Sequence, residues 1–173
     1  MGVGVASLLI ASTTPSPVGE LTLVAGDQGL VAILWENDPP QRVPLGTCGP
    51  GEDHPVIIQA REELAAYFAG ERISFSVPLD FRGTPFQRQV WAELLTIPYG
   101  ETRSYGEIAR RLGCSGASRA VGAANGRNPI SIIAPCHRVI GSGGKLTGFA
   151  GGLDAKQWLL RLEQASVALP LFA

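Results

Sequence analysis

The chain has 173 residues, 45% hydrophobic and 17% charged, with a net charge of −1. That apolar content can bury a core and excludes a disordered chain, while 22 Gly and 13 Pro without a repeat mark many turns and exclude a collagen-like helix. The length fits one ordinary domain or two small ones.

No apolar run reaches the about 18 residues that span a bilayer, so no membrane association is expected. Met1 to Ser12 is mildly apolar but has no basic residue before it, unlike a secretory signal. Ala6 stands where N-myristoylation favours Ser or Thr. A cytoplasmic protein is expected. Cys48, Cys114 and Cys136 are odd in number and widely spaced, which argues against a disulfide framework and a zinc ribbon. Cys48 and His54 alone do not make a zinc site, so no metal and no cofactor are expected.

In chain order, residues 5–12 read as a strand and Pro15 to Gly19 as a turn. Glu20 to Ala25 and Leu30 to Trp35 form a hairpin around Gly26-Asp27-Gln28-Gly29. Residues 37–53, rich in Pro and Gly, read as a loop. Asp53 caps a helix with Pro55 in its first turn, Ile57, Ala60, Leu64 and Phe68 on one face, and Gly70 at its end. Ile73, Phe75, Val77 and Leu79 alternate as in a half-buried strand.

From Thr84 the style changes. Thr84-Pro85-Phe86-Gln87 is a capping box that opens a helix to about Ile97, and Pro98-Tyr99-Gly100 stops it. Ser104-Tyr105-Gly106-Glu107 opens a second helix to Leu112. Residues 113–117 turn, and 118–125 form a third helix. Two short helices joined by a glycine-containing turn match a helix-turn-helix. Residues 153–166 form the last helix, with Leu153, Trp158 (or Gln157), Leu160 and Leu162 among its apolar set. The fold class is α+β: a sheet-plus-helix domain over 1–83 and a mostly helical domain over 84–173.

Charge divides along the same line. Residues 1–83 hold four Arg and ten acids, a net of −6; residues 84–173 hold ten Lys/Arg and five acids, a net of +5. Within 103–145 there are seven basic residues against Glu107 alone. A polyanion-binding half joined to one that does not touch the polyanion is one reading. Pairing of these charges with the acidic half across an interface is the other. In helix 118–125, Ala120, Gly122, Ala123 and Ala124 leave a bare surface beside Arg119. A major-groove reader needs side chains aimed at base edges. A bare helix suits close contact with a backbone or the minor groove, without sequence preference, or tight packing on another helix.

The densest chemistry lies in Asn128 to Ile140, where an apolar run leads to Pro135-Cys136-His137-Arg138. A thiolate is the nucleophilic form of cysteine, and a nearby imidazole or cation favours it. Adjacent residues in an extended chain point apart, so a bridging water is the easier relay from Cys136 to His137. Glu163 on the last helix is the available carboxylate to orient the imidazole. The residues alone leave open a reactive Cys136 or a buried inert thiol. They also allow Tyr105 as simple packing, Arg119 as a solvated charge or phosphate contact, Glu163 as a surface residue, and Asn128-Pro129 as a plain turn.

The run Pro-Cys-His-Arg-Val-Ile resembles the active-site signature of the O6-alkylguanine-DNA alkyltransferases. The resemblance spans about Thr84 to Ala165 and includes Thr-Ile-Pro-Tyr-Gly-Glu, Ser-Tyr-Gly-Glu-Ile-Ala, Ser-Arg-Ala-Val-Gly-Ala-Ala-Asn and Arg-Asn-Pro-Ile. The N-terminal half is similar only in style. The resemblance implies direct reversal of O6-alkylguanine in DNA, O6-methylguanine foremost and O4-methylthymine as a further candidate, after the nucleotide flips out of the duplex. It implies Cys136 as the alkyl acceptor, His137 acting through water as base, and Glu163 as its orienting carboxylate. Tyr105 matches the hydrogen-bond donor to the leaving purine, and Asn128 the brace beside the nucleophile. Arg119 matches the residue that fills the gap in the base stack. Ser104, Arg119, Ala120, Gly122 and Arg127 are the candidate contacts to double-stranded DNA. Pro135, Val139, Phe149 and Ala150 are candidate pocket residues. Relatives often carry Ser where Ala150 stands, and Tyr where Phe149 stands. A thioether resists water, so one turnover per molecule is implied.

Rivals remain. A lesion-binding protein of the same fold would lack the nucleophile. A Cys-His hydrolase would need an oxyanion site, and a helix-turn-helix regulator would need sequence preference. The tail holding Leu169, Leu171 and Phe172 looks like the short Leu-x-Leu-Phe peptides that bacterial DNA-processing proteins insert into the sliding clamp, with Ala168 in place of the usual Gln. A tail folded onto its own core is the alternative.

Overall fold

In the computed structural model, residues 8–168 are described. A four-stranded sheet opens the chain: β1 (Ile10–Thr14), β2 (Leu21–Gly26), β3 (Gly29–Leu34) and β4 (Gly49–Pro50), in the order β3-β2-β1-β4. The hairpin forms where expected. β1 starts at Ile10 and runs to Thr14, later than the expected 5–12, because its register is set by pairing Ile10 with Ala25 and Thr14 with Leu21. Residues 5–7 lie outside the described residues. The 37–53 loop contributes β4, whose two residues pair parallel with Ile10 and Ala11.

β2 is buried on both faces. Leu21, Leu23 and Ala25 enter the main core, while Val24 faces a smaller cluster with Leu9, Val31 and Ala32. Continuous hydrophobicity is what a strand covered on both sides requires. Helix α1 (Pro55–Phe68) lays Ile57, Ala60, Leu64 and Tyr67 on the main core. Its N-cap is His54, which accepts from the Val56 N–H at 3.2 Å; the expected Asp53 cap lies one residue too early.

The expected strand over 73–79 does not form. Ile73 is 62% exposed. The Ser76 and Val77 N–H groups donate to the Glu63 carboxylate (2.9 and 3.1 Å) rather than to a ladder. Contact with the sheet is limited to the two bonds around Leu30, from Leu30 N–H to Pro78 O and from Asp80 N–H to Leu30 O, each 2.8 Å. Gly29 permits this approach: its φ is +144°, and a Cβ there would sit 2.6 Å from the Pro78 carbonyl oxygen.

The rest is helical. α2 (Pro85–Leu94) and α3 (Tyr105–Arg111) both open on complete capping boxes, Thr84 with Gln87 and Ser104 with Glu107. α2 ends at Leu94, short of Ile97. Between them lies β5 (Arg103–Ser104). α4 (Ser118–Gly126) follows the turn after α3. A second core gathers Val90, Trp91, Leu94, Ile108, Val121 and Ala124. β6 (Val139–Ile140) pairs parallel with β5, placing the start of α3 beside the Cys136 segment.

The last helix, α5 (Leu153–Ala168), buries Ala155, Lys156, Leu159 and Glu163. This corrects the expected apolar set: Leu153 is exposed, and Trp158, Leu160 and Leu162 are half-buried. Leu159 docks in the sheet core together with Ile130, Ile132 and Ile133, so the late part of the chain completes the core of the early part.

Candidate active site

The segment from Asn128 to Arg138 hangs on the free edge of β3. Ile33 N–H donates to Pro129 O at 2.8 Å, and the Trp35 indole N–H donates to Ser131 Oγ at 3.1 Å. Asn128 is fully buried and braces the turn from within, donating to Ala134 O (2.8 Å) and accepting from Ile130 N–H (3.1 Å). Ile132 holds φ +76°, a left-handed conformation that is costly for a β-branched residue. Its side chain is completely buried. That burial is worth about 2 kcal/mol and offsets the about 1–2 kcal/mol of backbone strain.

Cys136 opens a 3₁₀ turn over Cys136–Arg138. The segment is therefore not extended, as the opposed side chains of Cys136 and His137 had suggested, but tightly wound. Cys136 is 3% exposed and sits in the helical core with Val139, while Tyr105 and Phe149 pack against that cluster. Burial pushes its thiol up. The side chains of Asn128 and Ser131 and the charges of Arg42 and Lys156 act in the opposite direction.

Glu163, which sequence alone allowed as a surface residue, is 1% exposed and is the hub of the site. His137 Nε2 lies 2.7 Å from its Oε2. Arg138 Nε donates to Oε1 at 2.8 Å and Nη2 to Oε2 at 3.1 Å, while Nη1 donates to Ile97 O at 2.7 Å. Tyr67 Oη donates to Oε2 at 2.6 Å. Burial alone would raise the Glu163 carboxyl, but the hydrogen bonds from His137 and Arg138 and the charge of Arg138 outweigh it and hold it at about 2. It is ionised at neutral pH and accepts the His137 Nε2–H. Burial holds His137 below its ordinary range against the pull of Glu163. The ring is therefore neutral, and Nδ1, buried and without a protein partner, carries the lone pair. The arrangement can take a proton from a neighbouring group and share the resulting charge with a fixed carboxylate.

A cavity of about 470 Å³ opens beside this core, bordered by Ser104, Tyr105, Arg119, Gly122, Ser142 and Thr147. The structure thus brings Ser104, Tyr105, Arg119 and Gly122 to one opening. Tyr105 Oη and Thr147 Oγ1 share a hydrogen bond at 2.5 Å. On α4, Val121, Ala124 and Asn125 are buried, while Arg119, Ala120 and Ala123 face out. The bare surface is therefore the exposed one. Arg127 is exposed and donates to Gln41 O at 3.1 Å. Val139 is buried in the helical core beside Cys136. Phe149 stands edge-on to Trp35 at 5.3 Å between centroids, with Ala150 half-buried beside it. Pro135 lines a different groove, with Ile73, Phe75, Tyr99 and Arg138. Of the seven basic residues in 103–145, Arg138 is internal, Arg103 is half-buried and Arg111 pairs with Glu93; Arg110, Arg119, Arg127 and Lys145 are exposed.

Sequence reasoning missed Tyr67, Arg138 as a buried partner, Lys156, and Arg42. Arg42 grips Asp38 with two 2.6 Å bonds and donates to Asn128 O at 2.7 Å, tying the 37–48 loop to the site. The signals were faint: Arg138 lay next to the Cys-His pair, and Lys156 sat on the inner face of an amphipathic helix.

Two family profiles match successive parts of the chain: the 6-O-methylguanine DNA methyltransferase ribonuclease-like domain over residues 9–81, and the DNA binding domain of the same family over 85–165. The methylated-DNA–protein-cysteine methyltransferase of Mycolicibacterium paratuberculosis is 52% identical over 162 residues, covering 92% of this chain and 96% of that protein. Its namesake in Mycobacterium bovis is 54% identical over 155 residues, covering 88% and 91%. The crystal structure of Mycobacterium tuberculosis O6-methylguanine methyltransferase superposes with a TM-score of 0.83 at 50% identity, covering 95% and 96%. A crystal structure of the M. tuberculosis protein in complex with DNA gives 0.80 at 52% identity, covering 89% and 92%. A buried cysteine beside an ordered His-Glu pair, on a fold shared over nearly its whole length with these proteins, leaves one conclusion: the chain belongs to the 6-O-methylguanine DNA methyltransferase family.

Proposed function

We propose that this protein repairs O6-alkylguanine in DNA by transferring the alkyl group to Cys136, once per molecule. The observation that carries this reading is the buried Cys136 turn joined to the His137–Glu163 pair, 2.7 Å apart, in a core against which Tyr105 of the opening packs. The damaged nucleotide leaves the duplex and enters that opening. Arg119, on the exposed bare face of α4, takes its place in the stack. Ser104, Ala120, Gly122 and Arg127 border the strand, in contacts that run along the minor groove without sequence preference. Val139, Phe149 and Ala150 shape the pocket, while Pro135, expected among them, lines the separate groove with Ile73 and Tyr99.

His137, through a water, draws the proton from the Cys136 thiol, and Glu163 stabilises the imidazolium. The sulfur attacks the alkyl carbon; a C–S bond forms as the C–O6 bond breaks. Tyr105 donates a hydrogen bond to the leaving purine, and the proton lost by the thiol is balanced by one gained on the guanine ring. Water does not cleave the thioether back to the thiol, so transfer stops at one equivalent. Asn128 keeps the turn in place, and Arg138 and Tyr67 hold Glu163.

DNA contacts fall within residues 84–173, while residues 1–83 buttress the site. A DNA substrate supports the reading of a cytoplasmic protein. The segment with Leu169, Leu171 and Phe172 lies outside the described residues; clamp binding through it is tested by pull-down, and no loss on deleting Leu171 and Phe172 refutes it.

The deciding experiment is intact mass after incubation with excess duplex bearing one O6-methylguanine, with peptide mapping. One methyl per protein on Cys136, absent from Cys136→Ser, is the expected result. Tight binding without a mass change refutes transfer and leaves a lesion-binding protein.

A further inference from the structure

We propose that Lys156 is a positioning residue for this transfer: its buried ammonium ties together the Val139 carbonyl, next to the Cys136 turn, and the Thr147 carbonyl, at the opening. The proposal rests on Cys136 being the alkyl acceptor.

Lys156 projects from the inner face of α5 and is completely buried. Its Nζ donates to Val139 O at 2.7 Å and to Thr147 O at 3.4 Å, and lies 6.0 Å from the centre of the Phe149 ring. No carboxylate pairs with it among the described residues. An ammonium has three protons to place and is costly to bury without a counter-ion, so a stability role alone is a poor account of it; a leucine or methionine in that place would cost less.

Its contacts join the Cys136 turn to the opening, which Thr147 borders. Val139 follows the Cys136–Arg138 turn, and its own N–H donates to Cys136 O. Thr147 carries the hydroxyl that meets Tyr105 Oη. Between them runs the segment 140–146, with Gly141, Gly143 and Gly144, a short loop closed on itself by the Gly141 N–H to Lys145 O and Gly144 N–H to Gly141 O bonds. Lys156 bridges the two ends of that segment and sets the distance between the sulfur side and the tyrosine side of the opening.

The charge has a second consequence. The groups that bear on the Cys136 thiolate are Arg42 from the 37–48 loop, Asn128 and Ser131 from the preceding turn, and Lys156 from α5, with His137, Glu163 and Arg138 in the adjoining relay. The anion that the reaction creates beside Lys156 is that thiolate. Burial depresses the lysine, and the thiolate acts to restore it. Forming the nucleophile thus supplies the missing counter-charge.

The test is single-turnover methyl transfer from duplex O6-methylguanine across pH, with DNA affinity, on the wild type, Lys156→Met and Lys156→Arg. Expected for Lys156→Met is transfer slowed by about tenfold or more, DNA affinity within about threefold, and a rate profile displaced to higher pH. Lys156→Arg, which keeps the charge, recovers part of the rate and the original profile. If Lys156→Met does not fold, Lys156→Gln, a donor without charge, is read in the same way. Wild-type rate in a folded neutral variant overturns the proposal, as does a loss of rate with an unmoved profile and no recovery by Arg. A wild-type protein that takes up no methyl on Cys136 overturns the acceptor reading itself, and a mapped wild-type methyl separates the two failures.

Discussion

Glu163 carries more of this site than any other side chain, because one carboxylate satisfies an imidazole, a guanidinium and a phenol at once. Its carboxyl is held at about 2 against an ordinary 4.5. A depressed carboxyl contributes stability that is complete above its unfolded value and is lost as pH falls through its folded one. Glu163 therefore supplies about 3 kcal/mol that disappears between about pH 4.5 and 2. Glu163→Gln leaves Arg138 buried without its counter-charge and is expected to lose about 3–5 kcal/mol at pH 7. Denaturant titrations should show that deficit narrowing toward pH 2. His137 behaves differently: it is neutral, so its use is kinetic. His137→Ala should slow transfer by about 10²-fold at pH 7 while leaving DNA affinity nearly intact. Its rate should then climb into the alkaline range, because a thiol raised by burial is left to hydroxide alone. Equal losses in rate and affinity would refute the relay.

At the scale of elements, the helices are set by their starts and the active turn by its neighbours. Thr84 and Ser104 cap α2 and α3 with the same reciprocal pair of bonds. Thr84 lies away from the opening, so Thr84→Ala is expected to cost about 1 kcal/mol in thermal or denaturant unfolding with transfer unchanged. Gly151 is the opposite case. A Cβ there would meet the Trp35 ring at 2.6 Å, and Trp35 holds Ser131 beneath the Cys136 segment. Gly151→Ala should displace the indole, lower stability by about 1–3 kcal/mol and slow transfer. A wild-type rate in that variant would show that the Trp35–Ser131 link does not govern the site.

Across the whole molecule, the two charge-distinct halves share one interior. Ile130, Ile132, Ile133 and Leu159 fill the same core as Leu21, Leu23 and Tyr67, and Glu163 joins Tyr67 of α1 to His137. Unfolding should therefore be a single transition by both calorimetry and tryptophan fluorescence, since neither half retains its core alone; two separated transitions would contradict this. The ion pairs Arg72–Glu63 and Arg82–Asp80 stay within the acidic half, and Arg111–Glu93 within the basic half. That leaves Arg110 of α3 and Arg119 of α4, both exposed, available to phosphates. Affinity for duplex DNA should fall with salt by a similar factor on unrelated sequences; a strong preference for one undamaged sequence would refute non-specific binding.

The local signals that sequence carries are those set within a few residues, and these were legible: the hairpin around Gly26–Gly29, both capping boxes, the turn between α3 and α4, and the Pro135–Arg138 motif. The failures share a cause. The alternating run at 73–79 had the pattern of a strand, but Glu63 from α1 took its backbone N–H groups, a contact 13 residues distant. Asp53 looked like a cap, yet the helix began where His54 could reach Val56. α5 looked apolar at Leu153, while its buried face proved to be Ala155, Lys156, Leu159 and Glu163. Sequence by itself determined which residues can do the chemistry, because side-chain type and near spacing are local properties. The tertiary structure alone decided that Glu163, 26 positions from His137, meets it at 2.7 Å, and that Tyr67, Arg42 and Lys156 belong to the same site. Those meetings depend on how the helices dock on the sheet, and no local pattern along the chain encodes a docking.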